Sequence, residues 1–399
     1  MTTFAPTSPA EVLEAVAWAA AEEEPLEVVG QGSKRRIGAP VQVAHTLDLS
    51  GLSGITLYEP EELVLAARAG TPLAEIQAAL KARGQELAFE PIDYGPVLGE
   101  KPGGGTIGGT LATNLSGPRR IKAGAARDHI LGVHAVSGRG EAFKSGGRVV
   151  KNVTGYDLSK GLAGSWGTLA VATELTFKVL PAAETETTLA LRGLEDHDAA
   201  AAMALGMGSS GEVSAAAHLP EGVAGTIAGL GGSAATLMRV EGFGPSVDYR
   251  IGTLKTLFAS VPETELLPVE RSRAVWKEIR DCGPFVDGTE RPVWRVSTAP
   301  SEGWKLALAL RREAPATVFY DWQGGLVWIR MEGGDAEAEI VRRLVAQVGG
   351  HAMLVRAAAA VRAAVPTFQP QAGPLAALAA RLKAEFDPRG ILNPGRTNI

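Results

Sequence analysis

The residues best suited to chemistry lie in two glycine-rich segments. Gly30-Gln31-Gly32-Ser33 runs directly into three consecutive cations, Lys34, Arg35 and Arg36. About 70 residues later, Gly103 to Gly109 forms a second run, with Thr106 as a hydroxyl donor and Arg119 and Arg120 close behind. Taken singly, either loop is compatible with a plain hairpin turn. Together they supply many backbone N–H groups unhindered by Cβ atoms, beside local positive charge, in a chain of net charge −5. Successive amides of this kind converge on anions, and a diphosphate needs several donors because burying its charge unpaired is prohibitive. The diphosphate of a dinucleotide matches that supply.

Other chemistries find little support. The six histidines, His45, His129, His134, His197, His218 and His351, show no HxH, HxxH or HExxH spacing, so no metal site is expected. His129 and His134 read as residues of one strand. The single cysteine, Cys282, excludes an internal disulfide and an iron–sulfur cluster carried by this chain. No GxxxxGK[ST] or GxSxG motif occurs. The run from Gly30 begins like a dinucleotide-binding βαβ fingerprint, but Arg35 stands where the third glycine would allow close helix packing. An acidic balance leaves no basic footprint for nucleic acid. No uncharged apolar stretch is long enough for a membrane span, and MTTFAPTSPAEVLEAV lacks the basic and apolar regions of a signal peptide, so a cytoplasmic chain is expected.

A chain of 399 residues predicts two to three domains at about 150 residues each. Ser8-Pro9-Ala10-Glu11 predicts a capping box, so a helix should lead the chain and run to about Glu23. Strands are expected at 26–29, 46–49, 55–58 and 62–69, then a helix stopped by Gly84. Further strands are expected at 130–136, 141–144 and in the alternating run that Pro181 ends. Beyond Pro181 the texture changes. Strands at 186–192, 214–218, 235–241 and 264–267 with helices at 197–207 and 246–259 give the order βαββαβ. The same order recurs with strands at 292–298, 316–320, 326–331 and 351–355, which predicts two ferredoxin-like units in one domain. An alanine-rich helical stretch at about 357–386 leads into FDPRGILNPGRTNI.

The segments VVGQGSKRRIG, PGGGTIGGTLATNLSGPRR, GAARDHILGV, KNVTGYDLSKGLAGSWGTLAVATELTFKVLP and FDPRGILNPGR resemble the vanillyl-alcohol oxidase and p-cresol methylhydroxylase flavoprotein superfamily. Within it the likeness is to the FAD-binding subunits of glycolate oxidases, and it covers nearly the whole chain. The resemblance implies an α+β fold: an FAD-binding domain at residues 1–181, a ferredoxin-like cap at 182–386, and a tail at 387–399 returning to the FAD domain. It implies Gly30, Gln31, Gly32, Ser33 and Lys34 as the pyrophosphate loop and Thr106, Ile107, Gly108 and Gly109 as a second clamp. Ser116, Gly117 and Arg119 would continue the flavin wall, Gly164, Gly167 and Thr168 would border the adenine and ribose, and Asn393 would return near the isoalloxazine.

Reduction of that ring places negative charge at N1 and O2, for which Lys151 and Arg396 are chemically suited donors. A small hydroxyacid would need a cation for its carboxylate, and Arg239, Arg295 and Arg330 lie on predicted cap strands, with Tyr320 and Trp322 as aromatic neighbours. Arg295 and the hydroxyl of Tyr156 are taken as the catalytic candidates. With no histidine in residues 1–44 and Cys282 in the cap, FAD should be held non-covalently. The activity implied is oxidation of glycolate or D-lactate to the 2-oxoacid. Its partners would be a second flavoprotein subunit and an iron–sulfur subunit, at the inner face of the membrane. The HxGDGNxH run that holds a metal beside the flavin in related D-2-hydroxyacid dehydrogenases is absent, which leaves a non-catalytic flavin-binding scaffold as the alternative.

Overall fold

Residues 2–148 and 155–397 are described by a computed structural model. The helix Pro9–Glu22 begins where Ser8 Oγ accepts a hydrogen bond from Glu11 N at 3.3 Å, while the Glu11 carboxylate accepts from Thr7 N at 2.7 Å. A strand, Thr2–Phe4, precedes it, so the helix does not lead the chain. Three residues carry too little alternation to announce a strand. This one exists because it pairs in parallel with His45–Asp48, which in turn pairs in parallel with Leu26–Val29. The helix lays Val12, Val16 and Ala19 on that small sheet, against Leu26 and Leu47.

A five-stranded antiparallel sheet follows, in the order Ile55–Glu59, Val64–Arg68, Ala170–Lys178, Ile130–Ser137, Ala142–Gly146. Leu65, Val133 and Leu175 pack under the helices Leu73–Lys81 and Ile107–Thr113. The second of these helices lies inside the glycine tract and was not expected. Glycines cost a helix about 1 kcal/mol each, so propensity argues against it. It forms because Thr106 Oγ1 caps Gly109 N at 3.2 Å and Gly108 N donates to Ala69 O at 2.9 Å. A Cβ on Gly108 would meet that same carbonyl oxygen at 2.8 Å, so the residue is small to let helix and sheet approach.

Beyond Pro181 eight strands form one sheet: Thr264–Leu267, Thr185–Arg192, Ala235–Gly242, Ala215–Leu219, Ala316–Asp321, Leu326–Met331, Val293–Ser297, His351–Arg356. Each half has the expected βαββαβ order. The halves join edge to edge through the single pairing His218↔Tyr320. The inner face sets Leu237, Phe319, Trp328 and Val355 against Ile92, Tyr94, Val97 and Leu98 in one shared core. A helix absent from the sequence reading, Val269–Arg280, drives Val275, Trp276 and Ile279 into the same core. The alanine-rich stretch is two helices, Ala359–Ala364 and Gly373–Phe386, rather than one, since Pro366 and Pro370 cannot continue the first.

From the second helix Lys383 Nζ donates to Thr168 O at 2.6 Å. The tail then closes on the first sheet: Leu26 N donates to Ile391 O at 2.7 Å and Asn393 N to Leu26 O at 2.9 Å. Buried Asp387 accepts from the amides of Ile391 and Leu392 at 3.0 and 2.9 Å, which sets the turn. Among the described residues no helix is long and apolar enough to cross a membrane.

Candidate functional site

A cleft runs between the strand Leu26–Val29, the loop after it, the helix Ile107–Thr113 and the segment Ser165–Gly167. It has two overlapping lobes that share Val28, Gly30, Thr106, Gly109, Trp166 and Asn393. Gly30, Gln31, Gly32, Ser33, Lys34, Thr106, Gly109, Asn393 and Arg396 line the first lobe; Gly108 and Gly167 join the second. The two glycine loops touch, because a Cβ on Gly30 would fall 2.6 Å from Thr106 Oγ1. Among the described residues the amides of Gln31, Gly32, Ser33 and Lys34 have no hydrogen-bond partner. Gly32 has φ +75°, a left-handed turn that favours glycine.

Of the three cations in the loop, Lys34 alone has no carboxylate partner among the described residues. Arg35 Nε binds Glu27 at 3.1 Å, and Arg36 binds Leu98 O at 2.7 Å together with Glu290. Lys34 is half-buried; burial lowers its amine pKa and Asp93 opposes the shift. Arg396 touches the lobe, but its donors are engaged on Arg35 O at 3.1 Å, on Ile37 O and on Glu27 at 3.1 Å. It secures the loop from behind. Asn393 accepts from Val28 N at 2.8 Å and donates to Trp166 O at 2.9 Å. A Cβ on Gly167 would meet its Nδ2 at 2.7 Å, so that glycine makes room for the tail.

The second glycine run behaves differently from the first. Ile107 N donates to Thr71 O at 3.0 Å, and with Gly108 and Gly109 bound as above these amides are consumed by the fold. Ile107 is fully buried. Ser116 is buried with its Oγ accepting from Ala126 N at 3.1 Å, and Gly117 packs on Glu90 and Arg280. Gly164 donates to Leu111 O at 3.1 Å, and Thr168 Oγ1 to Ser165 O at 2.6 Å; neither lines the cleft. Tyr156 is 89% exposed, away from it. Lys151 lies outside the described residues. His129 ends the short helix Ala126–His129 instead of standing on the strand with His134.

Sequence reasoning missed Trp166. It lines both lobes, adopts φ +55°, and packs edge-on against Phe368 at 5.1 Å. Its signal is the pair of flanking glycines' turn, Gly164 and Gly167, both at positive φ.

Arg119 does not reach the cleft. Its guanidinium binds Glu86, Glu90 at 3.2 Å and Glu241 at 3.7 Å, and Arg239 binds Glu90 at 2.9 Å from the cap. Burial opposes ionisation of Glu90, yet Arg239 and Arg119 hold its pKa down to about 2. This seam lines a separate cavity whose other walls include Gln77, Lys81 and Trp276. Nearby, burial pushes Asp321 up to about 7.

A family model described as "FAD binding domain" matches residues 2–146. Over 389 residues, 96% of each chain, the sequence is 34% identical to glycolate oxidase subunit GlcE of Escherichia coli K12. The chain belongs to the GlcE family. FAD is its cofactor, and the GlcE-type chain is an oxidoreductase by kinship. It is also 31% identical over 182 residues to glycolate oxidase subunit GlcD of Bacillus subtilis, covering 45% of this chain and 37% of that one. Among solved structures, p-cresol methylhydroxylase superposes with TM-score 0.74 at 15% identity over 100% of this chain and 88% of that one. 4-Ethylphenol oxidase from Gulosibacter chungangensis gives 0.72 at 14% identity over 99% and 88%. These place the GlcE-type fold in the p-cresol methylhydroxylase class.

Proposed function

We propose that the chain is the FAD-binding subunit of a complex that oxidises glycolate or D-lactate to the 2-oxoacid. The observation that carries this reading is identity to the GlcE subunit along 96% of both chains. Residues 1–181 and the tail 387–399 would hold FAD, with 182–386 as the cap. The unpaired amides of Gln31–Lys34 and the Lys34 ammonium fit a diphosphate, and Arg396 with Glu27 keeps that loop in shape. Gly167, Trp166 and Asn393 form the wall on which the tail closes. When bound, FAD accepts the two electrons removed from the hydroxyl-bearing carbon. Those electrons would pass to an iron–sulfur partner, since Cys282 is the one cysteine here and is fully buried.

The test is anaerobic addition of glycolate to purified yellow protein, alone and co-expressed with its partner subunits. Bleaching of the flavin colour supports the reading. Colour that persists in both preparations overturns it in favour of a flavin-binding scaffold.

A further inference from the structure

Arg119 and Arg120 are consecutive, and their surroundings are opposite. Arg119 meets three carboxylates. The Arg120 side chain makes no salt bridge or hydrogen bond among the described residues; its guanidinium carbon lies 4.4 Å from the centre of the Trp322 ring. Arg295, from the inner face of the cap sheet, lies 4.8 Å from the same ring and also forms no salt bridge. Its Nε is shielded from solvent without a partner, as is the hydroxyl of Tyr94. Burial and Arg295 lower the pKa of Arg120, and Asp128 opposes the shift. Two cations are thus held together without a salt bridge among the described residues; Asp128 acts on Arg120 and the buried Asp321 carboxylate on Arg295 only from beyond ion-pair distance, which leaves guanidinium donors open to an anion.

Their platform is fixed. Trp322 Nε1 donates to Gly117 O at 3.0 Å, tying the cap to the FAD-binding half. Trp322 and Gln323 adopt φ +52° and +62°, and the Asp321 carboxylate accepts from Trp322 N at 2.7 Å. Such backbone strain persists where surrounding structure over-determines it. The cleft residue Trp166, with Ile121 and Phe368, packs on the same core cluster that contains Trp322. His351 pairs with Ser297, two residues along from Arg295 on the same sheet face. Desolvation, Arg295 and Arg120 lower the imidazole pKa of His351, whose ring is solvent-exposed.

We propose that Arg120 and Arg295, set against Trp322, form the receptor for the carboxylate of a small organic acid. This rests on the reading of a 2-hydroxyacid oxidase and assigns the group that orients its substrate. Planar guanidinium forks suit a carboxylate, and two of them suit an acid with a second oxygen on the adjacent carbon.

Oxalate, which the flavin cannot oxidise, is titrated calorimetrically into the FAD-loaded protein and into Arg120→Met, Arg295→Met and the lysine variant of each. Flavin content is checked in every case. The expected result is oxalate binding by the wild type, weakened about 10-fold to 100-fold in each methionine variant and less in the lysine variants. Flavin content should stay unchanged. Wild-type protein that binds no oxalate, or variants that bind it equally well, overturn the assignment. Parallel anaerobic reduction by glycolate separates the two readings. Undiminished bleaching in the methionine variants defeats the receptor and leaves the oxidase standing; oxalate binding without any bleaching defeats the oxidase and leaves the receptor.

Discussion

Two regions concentrate polar groups, the cleft beside Leu26–Val29 and the seam where the N-terminal sheets meet the eight-stranded sheet, and they treat those groups in opposite ways. In the seam Glu90 is bound by Arg239 and Arg119, and Arg119 is shared with Glu86 and Glu241. In the cleft the amides of Gln31–Lys34 find no acceptor among the described residues, and the ammonium of Lys34 reaches only the Ser33 hydroxyl, at 3.4 Å. Charges that are all paired hold two bodies together. Donors left open at a concave surface hold something that the chain does not encode. The number of charges at a site therefore says less about function than the number left unanswered.

The comparison breaks first at the seam. Arg239 is 2% exposed, and Arg239→Met leaves buried Glu90 with one partner fewer. Removing one member of such a pair costs about 3–5 kcal/mol, so urea unfolding should show a loss of that size. The same pair sets the acid limit. With a folded pKa of about 2 against about 4.3 unfolded, Glu90 contributes fully above about pH 4.5. That contribution falls away as pH drops towards 2, and Glu90→Gln should flatten the stability curve there.

The cleft should respond to ligand instead. Non-covalent FAD at about 100 times its Kd should add about 2.7 kcal/mol, read as a melting temperature that climbs with added FAD. Acid precipitation should then leave a white pellet. His129, whose Nε2 is bound to Ala123 O at 2.8 Å, and fully buried Cys282 are poorly placed for a covalent link. A melting temperature indifferent to FAD, or a pellet that stays yellow, breaks the contrast.

Within the cleft, Gly32→Val forces a branched residue into φ +75° in the open-donor loop, a strain of about 1–3 kcal/mol. FAD affinity should fall with little change in apo stability. Gly108→Val sharpens the point, because its Cβ collides with Ala69 rather than with any ligand, and it should destabilise the fold. The smallest effect is expected from Asn393→Ala, which removes the bonds to Val28 N and Trp166 O at about 1 kcal/mol each, seen as faster flavin loss on dialysis.

The legible parts of this molecule are those whose reasons are local. Alternation in LVWIRM marks the strand Leu326–Met331, and both βαββαβ units read in the same manner. Gly30–Lys34, Thr106, Gly167 and Asn393 could be picked out as site residues because glycine and turn chemistry stand in the chain itself, and the structure brings them to one cleft. The illegible parts depend on distant partners. Ile107–Thr113 becomes a helix through Thr71 and Ala69, about 40 residues earlier. Arg119 looked like a flavin neighbour from its place after the glycine tract, but its carboxylates come from Glu86, Glu90 and Glu241. Nothing in the adjacent pair Arg119-Arg120 says which is paired and which is open; that is decided by side chains up to 200 residues away, among them Trp322.

The bond between Asn393 and Val28 spans 365 residues. On a ribosome adding about 5–20 residues per second, the strand Leu26–Val29 emerges roughly 20–70 s before the residue that completes its wall. Until then the loop Gly30–Lys34 lacks Arg396 behind it and Trp166 lacks its anchor. In the proposed reading cofactor loading should wait for the tail, and a ribosome stalled short of residue 393 should display a colourless nascent chain.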